Sequence, residues 1–143
     1  MSAIEITGID HVVVRVRDLD ASLRFYRDAL GCPVERRIDA LGLVQLRAGA
    51  SLIDLVPVDS PLGAAGGGAP DDAARNVDHF AVAIASFDET ALRAHLAAHG
   101  IAPGDVGERY GAGGSGPSMY VRDPDGNTVE LKGPATSAPA NAR

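Results

Sequence analysis

The sequence contains an internal repeat, and no other feature limits its possible folds as much. Ile9-Asp10-His11-Val12-Val13-Val14 recurs as Val77-Asp78-His79-Phe80-Ala81-Val82, with His79 standing where His11 stands. Self-similarity over such a period means that one supersecondary unit is built twice. Each His-bearing segment is followed by a helical stretch. The first runs near Leu19 to Leu30, with Asp18 or Asp20 as its cap and Leu19, Leu23, Tyr26 and Leu30 on one stripe. The second opens with Ser86-Phe87-Asp88-Glu89, a capping-box pattern, and closes at Gly100.

Three short strand-like runs punctuated by Gly and Pro follow each helix. They are Pro33 to Ile38, Leu43 to Arg47 and Ser51 to Val56 in the first half, and Asp105 to Tyr110, Ser118 to Arg122 and Thr128 to Lys132 in the second. Each half therefore reads βαβββ, module one over about residues 8–57 and module two over about 76–133, within one domain spanning 1–133. Residues 58–75, rich in Gly, Ala, Pro and Asp, read as a linker, and 134–143 as a disordered tail. The glycine run Gly66-Gly67-Gly68 and the stretch from Gly111 to Gly116 are lids or plain connectors.

Side chains alternate faces along a strand, so each strand divides into two sets. Val12, Val14 and Val16 form an apolar set opposite His11, Val13 and Arg15; Phe80, Val82 and Ile84 oppose His79, Ala81 and Ala83. The apolar sets take the helices, leaving the His-bearing faces to line a concavity. The same division puts Gln45, Arg47, Asp54, Tyr120, Arg122 and Glu130 on the His-bearing face. Asp54 is the most telling of these, because it interrupts the apolar run Leu52-Ile53-Asp54-Leu55-Val56, where an uncompensated carboxylate costs several kcal/mol. It needs a cation, either a metal or an arginine such as Arg15 or Arg47. Two histidines and two carboxylates at equivalent places of a repeat supply nitrogen and oxygen donors suited to Zn, Fe(II), Mn, Co or Ni. His95 and His99, spaced i, i+4 on the second helix, read as surface residues.

Charge and composition narrow the function classes. A net charge of −6, from 13 basic and 19 acidic residues, with no basic run, excludes a phosphate-binding surface and hence a nucleic-acid partner. The N-terminus lacks a signal-peptide pattern and no apolar run reaches membrane-spanning length, so a cytoplasmic protein without membrane contact is expected. Cys32, the single cysteine, fits a reducing compartment and reads as a small buried hydrophobe.

These residues resemble the vicinal oxygen chelate superfamily, which includes glyoxalase I, extradiol dioxygenases, epimerases, and fosfomycin- and bleomycin-resistance proteins. The resemblance covers about residues 8–133. It rests on Ile9-Asp10-His11, on the helix end from Leu23 to Gly31, on Val77-Asp78-His79 and on Asp123-Pro124-Asp125-Gly126-Asn127-Thr128-Val129-Glu130-Leu131. It implies an α+β fold in which two tandem βαβββ modules form a curved, mixed eight-stranded sheet around a cavity, with helices outside.

Carried over by position, the resemblance puts the metal ligands on His11, Asp54, His79 and Glu130, Asp54 being one methylene shorter than the family's usual residue there. Two coordination patterns follow: all four ligands, or a His11, His79, Glu130 triad with open positions. The first reading is a glyoxalase-like lyase or isomerase using Ni, Co, Zn or Mn, with Asp54 or Glu130 as base and Arg15, Gln45, Arg47 and Arg122 holding a small oxygen-chelating substrate. The alternative is an extradiol-type dioxygenase using Fe(II), which Tyr120 favours and the absence of histidine between Gly107 and Ser118 opposes. A bleomycin- or fosfomycin-resistance type of binding protein or transferase ranks third, because the chain has no Trp and a single Lys, Lys132. The family also implies a homodimer.

Overall fold

The structure, a computed structural model, describes residue 3 and residues 5–140. The chain divides into two compact units with their boundary between Ala69 and Pro70, one unit for each repeat. Module one comprises β1 (His11–Val16), α1 (Leu19–Leu23), β2 (Val34–Ile38), β3 (Leu43–Ala48) and β4 (Ser51–Pro57), followed by the short α2 (Pro61–Ala64). Module two comprises β5 (His79–Ala83), α3 (Glu89–Ala98), β6 (Val106–Gly111), β7 (Gly114–Arg122) and β8 (Thr128–Lys132). The α+β architecture of two βαβββ modules is thus observed. The eight strands divide into two four-stranded mixed sheets, ordered β1-β4-β3-β2 and β5-β8-β7-β6. Pairing closes inside each repeat because its first strand returns parallel beside its last, β1 on β4 and β5 on β8.

In module one, Asp18 accepts from the Ala21 amide at 3.0 Å and caps α1. The helix then loosens into a π-helical segment, Arg24–Ala29, in which the Leu30 amide reaches back to the Phe25 carbonyl at 2.9 Å. Leu23, Phe25 and Tyr26 are buried, as are Val14 and Val16 of β1 and Ile53 and Leu55 of β4, so the face assigned to the helix is the apolar one, and α1 packs on β4. In module two, Asp88 caps α3 by accepting from the Ala91 amide at 3.0 Å, and the helix closes at Gly100, whose φ is +71°. The β7–β8 turn is built around buried Asp123, which accepts from the Asp125 and Asn127 amides and from Asn127 Nδ2 at 2.8–2.9 Å. This knot fixes the register that sets Glu130 opposite Tyr120.

Three segments differ from the sequence reading. β7 begins at Gly114, four residues before the expected Ser118, and pairs with β6 through Gly111↔Gly114 and Tyr110↔Ser115. The Gly111 to Gly116 stretch is therefore a tight hairpin in the sheet, because glycines without side chains extend as readily as they turn. The linker is tied down by Arg15, which donates to the Gly63, Gly67 and Gly68 carbonyls. Beyond Gly133, where the sequence reads as a disordered tail, the Thr136 amide donates to the Ser115 carbonyl at 2.7 Å and the Ala140 amide to the Tyr110 hydroxyl at 2.6 Å; residues 141–143 lie outside the described residues.

Candidate functional site

Each module brings one histidine to one strand-borne carboxylate. In module one β1 and β4 run in parallel with His11 beside Leu52 and Val13 beside Asp54. The His11 ring and the Asp54 carboxylate therefore lie on one face, one pleat apart. In module two, His79 lies beside Thr128 and Ala81 beside Glu130, so the same offset is repeated.

Both histidines are oriented by the residue before them. The Nδ1–H of His11 donates to Asp10 Oδ1 at 2.7 Å and that of His79 to Asp78 Oδ2 at 2.6 Å. A carboxylate only accepts, so Nδ1 carries a proton in each ring, and in the neutral tautomer that this contact selects the Nε2 lone pair is the one left for a metal. The hydrogen bond to Asp10, and secondarily the charge of Asp54, raise the His11 pKa above the ordinary imidazole value. The hydrogen bond to His79 holds the Asp78 carboxyl below the usual carboxylate range. Asp10 and Asp78 went unassigned in the sequence reading, although both stand inside the repeated triplet that revealed the histidines.

The carboxylates differ in their surroundings. Asp54 is 3% exposed; its Oδ2 accepts from Gln45 Nε2 at 3.0 Å, and its Oδ1, fully buried, meets no hydrogen-bond donor among the described residues. Glu130 is also buried, with Oε2 3.5 Å from Nε2 of His79. A buried oxygen without a donor and an imidazole nitrogen facing a carboxylate oxygen are what a cation would fill, so the residues present fit a divalent metal with mixed nitrogen and oxygen ligands. Among the described residues no three His, Cys, Asp or Glu side chains come together as a metal-holding group; each module offers one histidine and one carboxylate.

The remaining expected site residues fall into two groups. Gln45 contacts Asp54 directly, and Tyr120 is the cross-strand partner of Glu130 with its ring centroid 5.7 Å from that of His79. Arg109, which the sequence did not single out, lies over the Tyr120 ring at 4.1 Å while donating to Ser118 and Asp105. The arginines are placed otherwise. Arg15 is committed to the linker carbonyls, and Arg47 is paired bidentately with Glu35 at 2.9 and 3.2 Å. Neither meets Asp54, so the cation expected from that pair is supplied by neither. Arg122, whose side chain is 62% exposed, is held only at 3.5 Å by Asp72 and by the Gly126 carbonyl.

Comparison with known proteins places this geometry in a family. The model of the glyoxalase/bleomycin resistance protein/dioxygenase superfamily matches residues 8–131. The chain is 28% identical over 128 residues to the catechol-2,3-dioxygenase of Bacillus subtilis, a match covering 89% of this chain and 41% of that protein, so the chain spans about two-fifths of that relative's length. It is 30% identical over 131 residues to virulence protein STM3117 of Salmonella typhimurium, covering 88% of this chain and 83% of that protein; the solved structure of STM3117 superposes with a TM-score of 0.67. The lactoylglutathione lyase structure from Agrobacterium tumefaciens is 25% identical, covers 90% of this chain and 94% of its own, and gives a TM-score of 0.58.

Proposed function

The chain belongs to the glyoxalase/bleomycin resistance protein/dioxygenase superfamily, and from that premise we propose that it is a metal-dependent enzyme of the glyoxalase-like kind, a lyase or isomerase acting on a small α-hydroxycarbonyl or similar oxygen-chelating substrate. The observation that carries this reading is Asp54: a buried strand carboxylate with one oxygen lacking a donor, standing at the position that Glu130 occupies in the other repeat. His11, Asp54, His79 and Glu130 are the ligands in this reading, two imidazoles and two carboxylates of the kind that suits Ni, Co, Zn or Mn. A metal held there would supply Lewis-acid polarisation of substrate oxygen, which makes an adjacent C–H more acidic. Glu130 or Asp54 would move the proton and the other carboxylate would help to hold the metal, with Tyr120 packed against the His79 ring beside them. Arg122 is the substrate contact in this reading, through its exposed guanidinium, while Gln45 is held against Asp54. A homodimer in the cytoplasm belongs to the same proposal.

A ring-cleaving dioxygenase reading is favoured by the edge contact of Tyr120 with His79 and by the catechol-2,3-dioxygenase relative. It uses Fe(II) on His11, His79 and Glu130, without Asp54. Metal analysis of protein purified without chelator or affinity tag, followed by add-back, decides between the two. Stoichiometric Ni, Co, Zn or Mn with turnover of hemithioacetals supports the first reading. Fe(II)-dependent oxygen uptake with catechols replaces it with the second. Folded protein that binds no metal overturns both and leaves a ligand-sequestering role.

A further inference from the structure

Asp54 lies in a row of cross-strand neighbours that spans the sheet of module one: Val13 on β1, Asp54 on β4, Gln45 on β3 and Arg36 on β2. A polarised chain of hydrogen bonds runs along this row. Arg36 Nε donates to Gln45 Oε1 at 2.6 Å, and Gln45 Nε2 donates to Asp54 Oδ2 at 3.0 Å. Arginine has donors only and a carboxylate acceptors only, so the Gln45 amide fits between them in a single orientation. A register shift in β2 makes the alignment possible. Val34 faces Leu46, but Arg36 faces Gln45, so the extra residue, Glu35, is bulged. Without the bulge Glu35 would stand opposite Gln45; with it, Glu35 turns to Arg47 and the cation reaches the amide. Module two has Tyr120 in the place of Gln45.

We propose that Arg36 and Gln45 are positioning residues for the metal site. They anchor Asp54 by Oδ2 and leave Oδ1 as the oxygen that would be offered to a metal. The proposal rests on the metal reading given above. Aspartate is one methylene shorter than glutamate, and its reach to a cation depends on how the carboxylate is turned. An anchor on one oxygen fixes that turn, and the guanidinium behind the amide strengthens the anchor.

The test is Co(II) binding by the chelator-stripped full chain, read from the visible d–d spectrum and by competition with an indicator, with far-UV melts confirming that each variant folds. Gln45→Leu weakens Co(II) binding about tenfold or more and changes the spectrum, the scale on which residues behind a ligand act. Arg36→Met, at the exposed sheet edge, gives a smaller loss in the same direction, and Arg36→Lys restores most of it because an ammonium can still donate to Oε1. In the Asp54→Ala background neither substitution weakens binding further, since the path runs through Asp54. Wild-type binding with unchanged affinity and spectrum in both folded variants overturns the relay, as do losses that persist undiminished without Asp54. A wild-type chain that binds no divalent metal overturns the metal reading, and the relay with it.

Discussion

Replacing Asp54 with leucine separates a carboxylate kept for a ligand from one kept for the fold. Leucine reproduces the branching of aspartate with methyl groups in place of oxygens, and the position is itself buried, Asp54 being 3% exposed beside Val13 on the neighbouring strand. In the metal-free chain the substitution removes a buried oxygen without a donor, which costs about 1–3 kcal/mol. It loses one hydrogen bond from Gln45, whose half-buried amide can turn to water. Exchange of buried ionic groups for apolar ones of similar volume is often neutral or stabilising, by about 1–4 kcal/mol. Metal-free Asp54→Leu is therefore expected to be as stable as the wild type or up to about 3 kcal/mol more stable, each kcal/mol raising Tm by roughly 2–4 °C in a chain of this size. Metal reverses the order. At a free concentration of about 100 times Kd the wild type gains about 2.7 kcal/mol by mass action, and the variant, lacking a ligand, gains little. Thermal melts of both proteins with and without Ni or Zn measure all four values. Destabilisation of the metal-free variant by more than about 1 kcal/mol, or an equal metal-induced rise in both proteins, refutes the assignment of Asp54 as a ligand held at a cost to the fold.

Other outcomes follow from the same geometry. Asp123→Ala strips three hydrogen bonds from the buried β7–β8 turn and should cost about 2–4 kcal/mol in urea unfolding; a loss under about 1 kcal/mol would show that the turn forms without its side-chain knot. Burial pushes the Cys32 thiol above its ordinary value, and the thiolate is the reactive form, so native protein near pH 8 should alkylate far more slowly than urea-unfolded protein, the rate climbing as pH rises toward the shifted value. Equal rates in the two states would place Cys32 at the surface.

The repeat made the fold legible because both halves carry the same signals at the same offsets. An acid or Ser-Phe-Asp cap opens each helix, a positive-φ glycine closes it, and alternation separates Val14 and Val16 from His11. The sequence reading stopped at β7, where Gly114 and Gly116 carry no side chains and so leave no alternation to read; only pairing with β6 defines that strand. The ligand candidates were legible for a related reason, since a carboxylate inside an apolar run breaks the pattern at Asp54.

Arg36 was not legible, and the reason lies in register. Strand alternation assigns a residue to a face but does not say which residue of the next strand stands opposite it, and a bulge moves that partner by one without altering composition. With regular pairing the sequence Val34-Glu35-Arg36-Arg37 sets an acid against Gln45, and the amide would turn its donors to Glu35 and leave Asp54 with an acceptor for a neighbour. The bulge at Glu35 reverses the polarity of the whole row. One inserted residue at a sheet edge thus decides whether the carboxylate at the row's centre is anchored or repelled. It also gives Arg47 a partner, which is why an arginine expected to hold Asp54 or substrate is occupied, while one assigned no role supports Asp54 from two hydrogen bonds away.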